Sequence, residues 1–142
     1  MPIFSLAFLA LLLSGILLGG MLCFTAMVAP LVFMKLPGDT AARFIRQLFP
    51  VYYAACAVLA LLAAAASLWS LPGVILALTG VASLFALLWL MPAINRNRDQ
   101  GLAGDTAAMA VFERLHSASV ALNALQILGV LVAFALIARG WG

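Results

Sequence analysis

Long apolar stretches, separated by short clusters of charged residues, dominate the pattern of this chain. No Asp, Glu, Lys, Arg or His precedes Lys35, and none lies between Arg46 and Arg96. In the last apolar stretch, Leu115 to Ala138, the single such residue is His116. Because about 20 apolar residues in a helix cross the hydrocarbon core of a bilayer, each stretch is long enough to span a membrane.

The stretch between Arg46 and Arg96 is long enough for two crossings, and a turn signal divides it. Residues 69–73 read Trp-Ser-Leu-Pro-Gly, which combines an interfacial Trp with a Pro that suits the first turn of a helix. The pattern therefore predicts an all-α fold, an integral membrane four-helix bundle. The predicted helices cover approximately 3–34, 49–69, 72–94 and 111–138, and two amphipathic connections cover 35–48 and 95–110.

Composition supports a membrane protein with one domain, residues 1–142. The chain is 68% hydrophobic and 8% charged, with a mean hydropathy of +1.26, which lies outside the range of soluble domains. Six of the seven basic residues flank the first and third connections. The positive-inside rule then places both connections in the cytoplasm and both termini outside. We expect a multi-pass protein of the bacterial inner membrane, in contact with the lipid bilayer and not with nucleic acid.

A five-residue sequence occurs twice, which indicates an internal repeat. Gly38 to Ala42 reads Gly-Asp-Thr-Ala-Ala, and Gly104 to Ala108 reads the same. One interpretation is a duplication, in which two helical hairpins have the same membrane orientation. The other is that Gly-Asp-Thr is a good helix start used twice, with the aspartate as N-cap. The charged residues around the two copies form the predicted cytoplasmic vestibule, namely Asp39, Arg43, Arg46, Arg98, Asp99 and Asp105.

The most unusual pattern lies on the fourth predicted helix. His116, Ser119, Asn123 and Gln126 follow a 3-4-3 spacing, which puts them on one side of a helix. Unpaired polar groups are costly in hydrocarbon, so this polar stripe is expected to face the other helices or a wet cavity. Its role is either interhelical hydrogen bonding or contact with a ligand or ion.

Soft-ligand chemistry is a second possibility. Met21, Cys23 and Met27 occur close together on the first helix, and Cu(I) prefers thiolate and thioether ligands. Met is also an ordinary residue for filling core gaps. The chain has one histidine, so a monomer cannot hold haem between two histidines. No cofactor is predicted, with haem or copper kept as an alternative, and the absence of the usual hydrolase motifs argues against an enzyme.

Several motifs together resemble the transmembrane-protein-205-like family, whose bacterial members carry the uncharacterised domain DUF4149. These motifs are Leu36-Pro37, Leu48-Phe49-Pro50-Val51-Tyr52 and Phe112-x-x-x-His116-x-x-Ser119-x-x-x-Asn123. Ser117 replaces the glycine that the family pattern leads us to expect. The resemblance implies a small four-helix membrane protein with undefined biochemistry, and a link to the handling of a metal complex or a lipophilic solute. A more distant similarity is to the copper-resistance-D-like and protoporphyrinogen-oxidase-like four-helix proteins.

These observations lead to one main hypothesis and two alternatives. The polar stripe, facing Thr25 on the first helix and Tyr52 on the second, is predicted to bind or transport a small solute or metal species. The first alternative is a structural subunit that stabilises a membrane complex, as a homo-oligomer or with another membrane protein. The second is a redox protein linked to haem or porphyrin.

Overall fold

The computed structural model describes residues 5–67 and 70–140. Within them the chain forms four long helices and no strands. The helices are α1 (Leu6–Lys35), α2 (Gly38–Ala66), α3 (Leu71–Leu102) and α4 (Thr106–Ala138), and each is long and apolar enough to cross a membrane. The predicted all-α, four-helix membrane fold is therefore confirmed. Trp69, part of the predicted interfacial turn, lies outside the described residues.

The helices form a ring in which each one packs against its neighbours in the chain. α1 contacts α2, α2 contacts α3, α3 contacts α4, and α4 returns to α1. Two residues, Leu36 and Pro37, separate α1 from α2, and three, Ala103 to Asp105, separate α3 from α4. Connections this short require antiparallel neighbours, as in an up-down-up-down bundle.

The helices extend further at the charged end of the bundle than the sequence predicts. α2 begins at Gly38 instead of near residue 49, and α3 continues to Leu102 instead of ending near residue 94. Most of each predicted connection has amphipathic residues with helical spacing, so the helices continue through it. The breaks are confined to Leu36–Pro37 and to Ala103–Asp105, where Gly104 has a positive φ. Asp105 caps α4 by accepting a hydrogen bond from the Ala108 amide (3.0 Å). Asp39 lies inside the first turn of α2 and is not its N-cap.

Small residues allow α2 and α3 to approach closely. Ala60, Ala63 and Ser83 are fully buried in the core. A Cβ added to Gly80 of α3 would lie 2.7 Å from the end of the Leu61 side chain of α2. Because lipid chains are as apolar as leucine, helices in membranes associate through this kind of close van der Waals packing.

Both odd-numbered helices contain a π-helical turn two residues before a proline. In α1 the turn covers Phe24–Val28 and precedes Pro30, and in α3 it covers Ala86–Leu90 and precedes Pro92. A proline has no N–H, so a carbonyl one turn earlier loses its usual partner, and a local π-helical turn is one way to accommodate this. The same device thus precedes both copies of the repeated sequence, although the internal duplication itself stays a prediction.

Replacing Gly101 with Ala is expected to lower the free energy of unfolding by about 1 to 3 kcal/mol. A Cβ at this position of α3 would lie 3.0 Å from the backbone Cα of Met109 in α4, so the two helices would have to separate. Gly19→Ala is the matched control, because nothing lies within 4 Å of a Cβ there. The measurement is thermal unfolding in detergent, and equal destabilisation by both variants would contradict the close approach of α3 and α4.

Candidate functional site

A cavity of about 520 Å³ lies between the helices in the half of the bundle that carries the charged residues. All four helices contribute to its wall, and most of the lining side chains are apolar. α1 contributes Phe24 and Phe33, α2 contributes Phe49, and α4 contributes Ile127. This volume lies within the range of about 300 to 1,000 Å³ that is usual for small-molecule sites.

A chain of hydrogen bonds joins three helices at the cavity. The Tyr52 hydroxyl of α2 donates to Asn123 Oδ1 of α4 (2.6 Å), and Asn123 Nδ2 donates to Thr25 Oγ1 of α1 (3.0 Å). Thr25 and Asn123 line the cavity, and Tyr52 is buried behind them. The structure thus brings together three of the site residues that the sequence predicts.

His116 and Ser119 also line the cavity, nearer its charged end. The Ser119 hydroxyl donates to the His116 carbonyl (2.7 Å), so it bonds within its own helix. The His116 side chain is exposed, and its ring stacks on Phe112 with the ring centres 5.8 Å apart. The imidazole therefore remains accessible from the cavity, whereas the serine hydroxyl is already partly satisfied.

Gln126 does not belong to this cavity. Its Nε2 donates to the Thr79 carbonyl (3.1 Å) and to Ser83 Oγ (2.9 Å), both on α3. Its Oε1 is buried and has no hydrogen-bond partner among the described residues. Gln126 lies 10 residues after His116, which is about 15 Å further along α4 and about 80° away around its axis. At that level its side chain meets α3 and not the cavity.

Four aromatic rings form one wall of the cavity and the core behind it. Phe24 stacks on Tyr52 with ring centres 4.1 Å apart, and Phe49 stacks on Tyr53 at 5.9 Å. Phe24 and Tyr53 are not among the predicted site residues. The spacing of the apolar residues does not predict that these two rings lie at the cavity, since an aromatic ring in a transmembrane helix is equally compatible with lipid contact.

Two arginines lie at the charged end of the cavity. Arg46 of α2 donates to Asp99 of α3 through both terminal nitrogens of its guanidinium (2.6 and 3.1 Å), and the bonded guanidinium holds the pKa of this carboxyl below its ordinary value. Arg46 and Arg98 line the cavity, whereas Asp99 does not. The Arg46–Asp99 ion pair is solvent-exposed and is expected to add little stability.

Four of the six residues of the predicted vestibule do not line the cavity. They are exposed and lie outside the lining, namely Asp39, Arg43, Asp99 and Asp105. The first three lie on helices that continue past the cavity, and Asp105 lies in the connection before α4. Arg46 and Arg98 do line the cavity, while the vestibule itself stays a prediction.

The cavity also opens sideways, between α1 and α4. The contacts of α1 with α4 come mainly from Leu6–Cys23, whereas Ala29–Lys35 packs against α2. Phe33 and Val120, on the two sides of this gap, line the cavity and are still 61% and 57% exposed. In a membrane, side chains this exposed and apolar contact lipid. At this level the cavity is therefore open to the side of the bundle that lipid would cover.

The residues considered as soft metal ligands differ in exposure. Met21 is buried in the core, whereas Met27 and Cys23 are exposed. Among residues 5–67 and 70–140, no three His, Cys, Asp or Glu side chains are close enough to share a metal ion.

Comparison with known proteins finds one family. A family model described as "Domain of unknown function (DUF4149)" matches residues 12–103, which include most of α1 and all of α2 and α3. No curated protein and no solved structure matches the chain. The resemblance to this domain is confirmed, and His116, Ser119 and Asn123 lie beyond the matched residues.

Asn123→Leu is expected to destabilise the bundle more than Gln126→Leu, although each removes two hydrogen bonds. The first leaves the Tyr52 hydroxyl without its acceptor, which costs about 1 to 3 kcal/mol when the group is buried. Gln126→Leu also removes the buried Oε1 that has no hydrogen-bond partner among the described residues. Ser83 keeps its own hydrogen bond to the Thr79 carbonyl, so the second substitution costs less. Thermal unfolding of both variants measures the order, and equal or reversed losses would contradict the linking role of Asn123.

Proposed function

The chain belongs to the DUF4149 family of unknown function, and on that premise we propose that it binds a small, mainly apolar molecule in the cavity between its four helices. The ligand enters from the bilayer through the gap between α1 and α4. The binding site consists of the apolar wall, with His116, Ser119, Asn123 and Thr25 as the polar groups nearest the ligand. Tyr52 supports Asn123 from behind. The gap between α1 and α4 is the observation that carries the proposal.

The composition of the wall supports an apolar ligand. Ligand sites are usually lined by hydrophobic and aromatic side chains with a few polar groups that fix the orientation. Here the amide of Asn123 is held by Tyr52 and Thr25, so this stretch of wall places little demand for new hydrogen bonds on the ligand. A hydrated ion would lose its water without gaining an equivalent set of ligands.

The shape of the bundle supports binding in preference to a continuous path across the membrane. At the end away from the charged residues, the space between the helices is filled by Leu17, Leu76, Val130 and Ile137, each less than 2% exposed. The cavity therefore ends inside the bundle. A closed end and an open side suit a molecule that enters from the lipid and returns to it. Because a bundle with a purely structural role needs no such cavity, this shape favours binding.

For the location, we propose the cytoplasmic membrane, with the charged end of the bundle in the cytoplasm. Arg43, Arg46, Arg96, Arg98 and Arg114 all lie toward this end. An excess of basic residues marks the cytoplasmic side of a multi-pass protein. Both termini then lie on the opposite side of the membrane.

Hexadecanol serves as the probe for an apolar ligand. Ala124→Phe is expected to weaken its binding by about tenfold or more, because the ligand would lose buried apolar contact on the order of 1.4 kcal/mol. Ala124 lines the cavity, and a phenyl ring there occupies the space of the ligand. The measurement is scintillation proximity with radiolabelled hexadecanol and purified protein in micelles.

Ala121→Phe is the matched control. Ala121 is an exposed alanine on the same helix and is not part of the lining, so binding is expected to stay unchanged. If hexadecanol does not bind, or if both variants weaken it equally, the cavity is not the binding site and the proposed function is wrong.

The orientation is tested with single-cysteine variants in a background without Cys23 and Cys56. We expect Ser70→Cys, at the turn between α2 and α3, to react with a membrane-impermeant maleimide in intact cells. Arg43→Cys is expected to react only after permeabilisation, because Arg43 lies at the opposite end of α2. The reverse labelling pattern would place the charged end outside the cell.

A further inference from the structure

We propose that the ligand is an anionic amphiphile with a single hydrocarbon chain, whose carboxylate or phosphate headgroup lies beside Arg98. This inference rests on the proposed function and names the class of molecule that the cavity selects. Three features carry it: the charge of the lining, the position of Arg98 and the dimensions of the cavity.

The charge of the lining has one sign. The lining includes the guanidinium groups of Arg46 and Arg98, and it includes no Asp or Glu. Both arginines lie toward the charged end, and the nearest carboxylate, that of Asp99, lies outside the lining and is bonded to Arg46. A negative headgroup at this level would meet positive charge, while its chain would meet the apolar wall. A cationic amphiphile would place its charge against the same arginines, which costs free energy.

Arg98 is the arginine available to a headgroup. Arg46 is bonded to Asp99 through both of its terminal nitrogens, whereas Arg98 has no hydrogen bond or ion pair to the residues that the structure describes. Met91, Ile94, Asn95 and Arg98 all line the cavity, and their spacing puts them on one face of α3. The helix thus directs Arg98 toward the cavity mouth.

The dimensions of the cavity suit one hydrocarbon chain. On α4 the lining extends from Phe112 to Ile127, which is about 22 Å of helix at about 1.5 Å per residue. Distributed over that length, the 520 Å³ gives a mean cross-section of roughly 24 Å². One extended chain fits this section, and two chains side by side do not. A fatty acid or a single-chain phosphate fits, whereas a two-chain phospholipid would have to leave one chain in the bilayer.

The test compares headgroups on one chain. Palmitate, hexadecyl phosphate, hexadecanol and hexadecyltrimethylammonium compete with radiolabelled hexadecanol for the purified protein, with affinities expressed as mole fractions in the micelle. Palmitate or hexadecyl phosphate is expected to bind at least about tenfold more tightly than hexadecanol, since hydrogen bonds to charged groups contribute that much. The tighter of the two anions identifies the headgroup.

Arg98→Gln is expected to remove this preference, measured as the ratio of the affinities of the same variant for the anion and for hexadecanol, because the charged contact is lost. Arg98→Lys should retain most of the preference. Arg96→Gln is the matched control, since Arg96 is an arginine on the same helix and is outside the lining. Thermal unfolding of each variant shows whether the bundle stays folded.

The outcomes separate this inference from the proposed function. If hexadecanol binds, Ala124→Phe blocks it and all four headgroups bind equally, the cavity binds apolar chains and the anionic class is wrong. Equal loss of the anion preference in Arg98→Gln and Arg96→Gln would show a general charge effect and would also overturn the assignment of Arg98. Failure of every probe would overturn the proposed function itself.

Discussion

The structure depends on one constraint, which is that a polar group inside the hydrocarbon core needs a hydrogen-bond partner within the protein. The four helices meet this constraint for the backbone. Asn123 meets it for the side chains around the cavity, since its amide accepts from Tyr52 and donates to Thr25. One residue thus links α1, α2 and α4 at the level of the cavity. Without this link, three helices would lose their common polar contact beside the cavity.

The prolines of α1 and α3 show the same constraint acting on the backbone. Each removes a backbone donor, and each is preceded by a π-helical turn. In α1 the turn lies at the level where the main contacts with α4 end, and the following segment, Ala29–Lys35, packs on α2 instead. The lateral gap therefore begins where the regular helix is interrupted. A cavity that opens to lipid needs such a departure from parallel packing, because straight neighbouring helices would close it.

At the charged end, an ion pair between two helices lies beside an arginine that lines the cavity. Arg46 and Asp99 connect α2 with α3, and Arg98, one residue before Asp99, lines the cavity. Adjacent residues on a helix point about 100° apart, so a single segment can serve both purposes. The proposed anionic ligand uses Arg98 and leaves the α2–α3 contact intact. With this division, the proposed headgroup would bind beside Arg98 without breaking the Arg46–Asp99 pair.

The sequence by itself determined the number of helices, their membrane character and the polar stripe on α4, because hydrophobicity and helical period are local properties of the chain. It also placed Thr25 and Tyr52 opposite that stripe, where both now bond to Asn123, while binding of a solute there stays a prediction. Only the tertiary structure decided that Gln126 turns to α3, that Arg46 selects Asp99, and that α1 separates from α4 to leave a gap. These features depend on the rotation and tilt of each helix about its own axis, which the packing of all four helices sets together and no single segment encodes.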